Sequence, residues 1–193
     1  QRALRRLQKD YPQSKEANNA LFMLGSNLLQ LGMKQQATKV FKEMFSGAGK
    51  YSETQLLTAG QELAKAGETD IALQAFARVL STAKERSHEE PALLGKGKLL
   101  IDSGQFAEGA QILNSLLEKY PNTGRTIEAA LYLSRAFGEL GMREADPKKR
   151  FELFNESVRH MKTVRKFEST PGGVARSDVE LARILERKAK AEE

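Results

Sequence analysis

The side chains of this 193-residue chain best suited to chemistry are two histidines, a short Gly-Lys run and many carboxylates, and none falls into a catalytic pattern. His88 and His160 stand alone, without a His-Glu-x-x-His spacing or a second ligand at convincing helical spacing, so each is expected in a surface or capping role rather than on a metal. Gly95-Lys96-Gly97-Lys98 looks superficially like a phosphate loop, but the upstream Gly and the Ser/Thr after the Lys are missing and no strand signal precedes it. No carboxylate lies in a segment whose pattern predicts a buried pair with split acidity. The absence of cysteine removes thiolate nucleophiles, disulfides and cysteine metal sites, and it leaves the compartment open. The residues therefore predict no catalytic site, no metal, no cofactor and no enzyme activity.

The elements that carry these residues form an internal repeat. Leu21-x-x-Leu24-Gly25-x-x-Leu28-x-x-x-Gly32 recurs as Leu56-x-x-Ala59-Gly60-x-x-Leu63-x-x-x-Gly67, then from Leu93 through Gly97 to Gly104, then from Ala130 through Ser134 to Gly141. Behind the first three copies follows a second pattern: Ala37-x-x-x-Phe41-x-x-Met44, Ala72-x-x-x-Phe76-x-x-Val79 and Gly109-x-x-x-Leu113-x-x-Leu116. Apolar residues at i, i+3 and i+7 make one helical stripe, and a small residue beside it lets two helices approach closely. Gly32, Gly67, Gly104 and Gly141 each sit where a first helix should end, a place where glycine takes the left-handed conformation without steric penalty. Ser52 with Gln55, Ser87 with Glu90, Asp146-Pro147 and Ser177 with Glu180 read as helix starts. Strand signals are absent, so the fold class is all-α.

The repeat resembles the tetratricopeptide repeat, with its Leu-Gly on the first helix and its Ala and Phe on the second. That resemblance implies a right-handed superhelical solenoid of tandem antiparallel helix pairs spanning 1–193 as a single unit. Within it, 1–13 are expected to be the second helix of a truncated repeat, because Leu4 to Ser14 superposes on Leu113 to Thr123. Repeats are expected at 14–50, 51–86, 87–122 and, atypically, 123–169, with a capping helix over 170–193. The fourth repeat carries the insertion Arg143-Glu144-Ala145-Asp146-Pro147, expected as an exposed loop before an unusually long helix. Tyr11-Pro12 and Tyr120-Pro121 in their contexts are similar to the bacterial cell-envelope branch of the family, which gives the only lean on location, toward a periplasm or envelope.

The function that the resemblance implies is a non-catalytic scaffold for protein–protein interaction, holding a peptide or protein segment in a concave groove. Aligned copies put Phe22, Leu57, Leu94 and Leu131 at one position of the first helices, and Ser26, Gln61, Lys98 and Arg135 four residues later on the same face. These eight are the candidate groove residues. They do not supply the Lys and Asn of the family's chaperone-binding clamp. An apolar row beside Lys98 and Arg135 suits an amphipathic partner with an acidic side. Against this stands a packing role for the apolar row, with the two cations paired to Asp102 and Glu139 of their own helices.

Charge leaves two other readings open. Residues 1–50 hold 9 Lys/Arg against 3 Asp/Glu, so a basic surface for nucleic acid or an anionic membrane is the alternative, although interleaved charge at helical spacing makes a nucleic-acid partner the less favoured one. A regulatory or assembly domain of a larger enzyme or envelope protein is the other. With 40% apolar and 29% charged residues, no stretch approaches a spanning helix of about 18 uncharged apolar residues. Self-association is expected through an uncovered edge at Leu4 and Leu7.

Overall fold

The computed structural model describes residues 6, 10, 11, 14–46 and 51–190. Over them the chain is all-α, with helices α1 (Lys15–Gln30), α2 (Lys34–Ser46), α3 (Glu53–Ala66), α4 (Thr69–Thr82), α5 (Arg86–Asp102), α6 (Phe106–Lys119), α7 (Thr126–Arg143), α8 (Pro147–Phe167) and α9 (Pro171–Lys190). No described residue lies in a strand, and no helix among them is long and apolar enough to cross a membrane. The chain divides into two compact units, Gln1–Lys96 and Gly97–Glu193, with the boundary inside α5.

In the first unit the repeat residues are the core. Phe41 of α2 and Phe76 of α4 are fully buried, as are Ala37, Met44, Ala59, Leu63, Ala72 and Val79. The glycine at this step of each first helix admits the ring: a Cβ on Gly25 would lie 2.8 Å from Phe41 Cζ, and one on Gly60 would lie 2.9 Å from Phe76 Cε1. Each buried ring contributes roughly 2–3 kcal/mol through loss of apolar surface from water. The turns are closed by left-handed glycines, Gly32 at φ 72° and Gly67 at φ 82°. There Gly67 N–H donates to Ala64 C=O at 3.1 Å and Glu68 N–H to Leu63 C=O at 2.9 Å, satisfying carbonyls that the helix end leaves open.

The two helix pairs of this unit are joined by polar bonds. Arg78 donates to Phe45 C=O at 2.8 Å and Lys34 to Ala66 C=O at 2.6 Å, so two cations sit at helix C-termini where the dipole favours them. Gln55 Nε2 donates to Asn19 Oδ1 at 3.2 Å between the first helices. Gln55 also closes the expected capping box, receiving Ser52 N–H at 3.0 Å on its side chain while its own N–H reaches Ser52 Oγ at 3.2 Å.

In the second unit Leu113 and Leu116 of α6 are fully buried, and a Cβ on Gly97 would lie 2.5 Å from Leu113 Cδ2. Gly104 turns the chain at φ 84°. The pair α7 and α8 closes around small residues: Ser134 Oγ donates to Ser157 C=O at 2.8 Å, and Ser157 Oγ donates to Ser134 C=O at 2.7 Å. Both serines are fully buried, and this exchange satisfies their hydroxyls inside the core. Ala130, Phe154, Val158, Met161, Val164 and Ile184 form one apolar cluster, which α9 joins through Ile184 and Leu181.

Several helix boundaries differ from expectation. Gly141 lies buried inside α7 without a positive φ, because the helix runs on to Arg143 and Gly141 leaves room for Phe154, whose ring a Cβ there would meet at 3.3 Å. The inserted loop is accordingly 144–146, between α7 and α8; Arg143 is helical, with its guanidinium 4.6 Å over the Phe106 ring. Asp146 does cap α8, accepting Lys148 N–H at 2.9 Å. Ser87 does not cap α5, since that helix already starts at Arg86 and Glu90 instead receives Arg86 Nε at 2.6 Å. Likewise α9 starts at Pro171, where Thr170 Oγ accepts Gly173 N–H at 3.1 Å, and Ser177 is an interior residue bonded to Val174 C=O at 2.8 Å. Leu4 and Leu7 lie outside the described residues.

Candidate protein-interaction surface

Both histidines are held by neighbouring side chains, His88 half-buried and His160 buried. His88, at the start of α5, sets Nδ1 3.1 Å from Glu53 Oε2 and Nε2 3.0 Å from Thr54 Oγ1, both at the start of α3. Both ring nitrogens are engaged, so the imidazole works as a clasp between two helices. His160 is only 3% exposed, which corrects the surface role expected for it. Its ring stacks parallel to Phe137 at 5.6 Å, and Arg159 donates to Nε2 at 3.0 Å. Burial, with the Arg159 charge adding to it and Glu156 opposing, pushes its pKa down to about 4, so the ring is neutral at ordinary pH. Among the described residues no group of three or more His, Asp or Glu side chains is arranged to hold a metal ion.

The eight aligned positions do not behave alike. In the first unit Leu94 and Ser26 are buried, Phe22 and Leu57 are half-buried, and Gln61 is exposed. Ser26 Oγ has no hydrogen-bond partner. This stretch of the row is chiefly packing. In the second unit Leu131 of α7 is 43% exposed, a large apolar side chain turned to solvent beside Arg135.

Lys98 and Arg135 are both occupied, though not by the partners expected. Lys98 of α5 pairs with Glu128 of α7, and its ammonium lies 5.2 Å from the centre of the Tyr132 ring. Arg135 of α7 pairs with Asp102 of α5 at 2.7 Å, while Glu139 takes Arg143 at 3.8 Å. The cations thus link the helices of adjacent repeats rather than residues one turn along. Neighbouring helices offer closer carboxylates than the same helix does, and single-helix spacing cannot reveal that. Tyr132 sits in this network with its hydroxyl 3.5 Å from Asp102, and burial, helped by Asp102 and opposed by Lys98 and Arg135, raises its pKa.

Leu131 lines two adjoining clefts of the second unit. The larger, about 670 Å³, runs between α7, the end of α8 and α9, with Ile127, Met161, Val164 and Val179 among its walls. The smaller, about 330 Å³, adds Tyr132, Arg135, Ile184 and Arg187. Leu131, Met161 and Glu180 belong to both. The contribution of α9 to this surface was missed in the sequence, where that helix reads as a solvating cap.

A surface of this kind, on paired helices packed through small residues and closed by left-handed glycines, defines a helical-repeat protein. The tetratricopeptide-repeat family model matches residues 63–136, and over that stretch the chain is similar to that family. A curated relative, the protein CTR9 homolog of Arabidopsis thaliana, is 30% identical over 122 residues, covering 58% of this chain and 11% of its own length. The chain therefore spans about a tenth of that relative. Among solved structures, a tetratricopeptide repeat protein from Parabacteroides merdae is 19% identical over 99% of this chain and 68% of its own, with a TM-score of 0.56. A MamA protein is 16% identical over 88% of this chain and 85% of its own, with a TM-score of 0.53. These two establish the shared fold.

Proposed function

We propose that the chain is a non-catalytic scaffold that holds a peptide or protein segment, and that in the second unit the segment lies in the clefts beside Leu131. The observation that carries this reading is the exposure of Leu131, 43%, at the shared wall of both clefts. An apolar side chain of that size beside a concave surface gains from being covered, and with 43% of Leu131 still exposed the remaining gain is roughly 1 kcal/mol. The remaining candidate positions divide by their surroundings: Leu94 and Ser26 are buried, Phe22 and Leu57 half-buried and Gln61 exposed, while Lys98 and Arg135 pair with carboxylates across α5 and α7.

The test is Leu131→Asp in the full chain, with capture of partners from an extract of the source cells. The reading predicts that bands recovered by the native chain are lost with the variant while the helical circular dichroism is unchanged. Undiminished capture by a folded Leu131→Asp chain contradicts it.

A further inference from the structure

We propose that α9 supplies a charged wall to these clefts and that their occupant is an amphipathic protein segment whose Asp or Glu side chains pair with Arg176, Arg183 and Arg187. The inference rests on the reading that a partner covers Leu131, and it adds the chemistry of that partner.

The orientation of α9 is fixed from the α8 side. Leu181 and Ile184 enter the apolar cluster, Asp178 pairs with Arg165, and the Lys188 ammonium lies 4.2 Å from the centre of the Phe151 ring. Residues 176, 180, 183 and 187 follow at i, i+4, i+7 and i+11, which puts them on one face, spread over about 16 Å of helix. That face lines the clefts: Arg176, Glu180 and Arg183 the larger one, Glu180 and Arg187 the smaller.

The α9 face holds three arginines against one glutamate, while Glu168 lines the larger cleft from beyond α8 and Glu139 the smaller from α7. Glu180 pairs with Arg183 at 2.7 Å, and Arg176 and Arg187 act on Glu168 and Glu186 only as nearby charges. Among the described residues neither Arg176 nor Arg187 forms an ion pair or a hydrogen bond. Lys98 and Arg135, by contrast, already have carboxylates. Unengaged cations therefore stand on the α9 side and not on the α5 side. The floor between is apolar, with Leu131 43% and Val179 52% exposed. A segment that sets leucine-like side chains on Leu131 and Val179 and carboxylates along α9 meets both features, because the guanidinium fork takes a carboxylate in two parallel hydrogen bonds.

The experiment uses the full chain and three fluorescein-labelled peptides of about 16 residues, long enough as a helix to run the length of the arginine row. The first is an amphipathic sequence of Leu, Ala and Glu, the second its Lys-for-Glu twin, and the third a scramble of the first without amphipathic spacing. Fluorescence anisotropy should show the Glu peptide binding more tightly than the twin and the scramble, and weakening as salt is raised. Arg176→Glu with Arg187→Glu, both at exposed positions, should weaken the Glu peptide about tenfold or more, the loss of one charge-assisted contact or more, and should transfer preference to the Lys twin. Leu131→Asp should weaken both amphipathic peptides. If Leu131→Asp acts and the double arginine variant does not, the arginine assignment falls and the cleft stands. If neither acts, both readings fall. A single-stranded DNA oligonucleotide that binds more tightly than the Glu peptide overturns the proposal by assigning the arginines to phosphate.

Discussion

Gly97 of α5 and Gly109 of α6 face each other so closely that a Cβ on Gly109 would lie 2.9 Å from the Gly97 carbonyl oxygen and 2.6 Å from Ile101 Cγ1. The neighbour is backbone, which cannot step aside as a flexible side-chain tip can. Gly109→Ala is expected to destabilise the fold by about 1–3 kcal/mol, the usual range for overpacking a close contact. Gly138→Ala, whose Cβ would meet only Ser157 Oγ at 3.3 Å, should be far milder. Urea unfolding of the two variants gives the comparison.

His160 makes stability fall on acidification. Its folded pKa is depressed to about 4 from 6.5, so between those values the unfolded chain binds the proton and the folded chain does not. The contribution is complete above about pH 6.5 and is lost as pH falls through about 4, amounting to roughly 3 kcal/mol at 1.36 kcal/mol per unit. His160→Phe, which keeps the stack on Phe137, should remove this component. Unfolding curves of both chains at pH 7 and pH 4.5 test it; equal pH dependence would contradict it.

The α5–α7 ladder is partly exposed, with Arg135 and Asp102 side chains 51% and 47% accessible. Lys98→Glu with Arg135→Glu places like charges against Glu128 and Asp102. The loss of stability should be small, about 1 kcal/mol, and should shrink at high salt, as for exposed ion pairs. A thermal melt at low and high salt measures this.

The short-period pattern in the sequence predicted the helices well, because the same residues at i, i+3 and i+7 that define the repeat are the ones buried at Leu21, Phe41, Leu56, Phe76 and Leu113. Capping at Ser52 and Asp146 was equally readable, since both bonds are local. What failed depended on contacts distant in sequence. Gly141 reads as a helix end until Phe154 supplies a reason for a glycine inside α7. His160 reads as a surface residue until the Phe137 ring is placed against it. For the candidate site, alignment found Leu131 and Arg135 but not which cations were already paired, and the spacing of Arg176, Arg183 and Arg187 pointed nowhere without the placement of α9.

Site-specific photocrosslinking shows whether a partner segment lies against Leu131. A benzophenone amino acid at position 131, and in a separate chain at exposed Glu108 on α6, is activated in source cells and the adducts are mapped by mass spectrometry. One protein adduct is expected at 131, absent at 108, whose crosslinked peptide has an apolar face flanked by Asp or Glu. No adduct at 131, or the same adduct with equal yield at both positions, would contradict it.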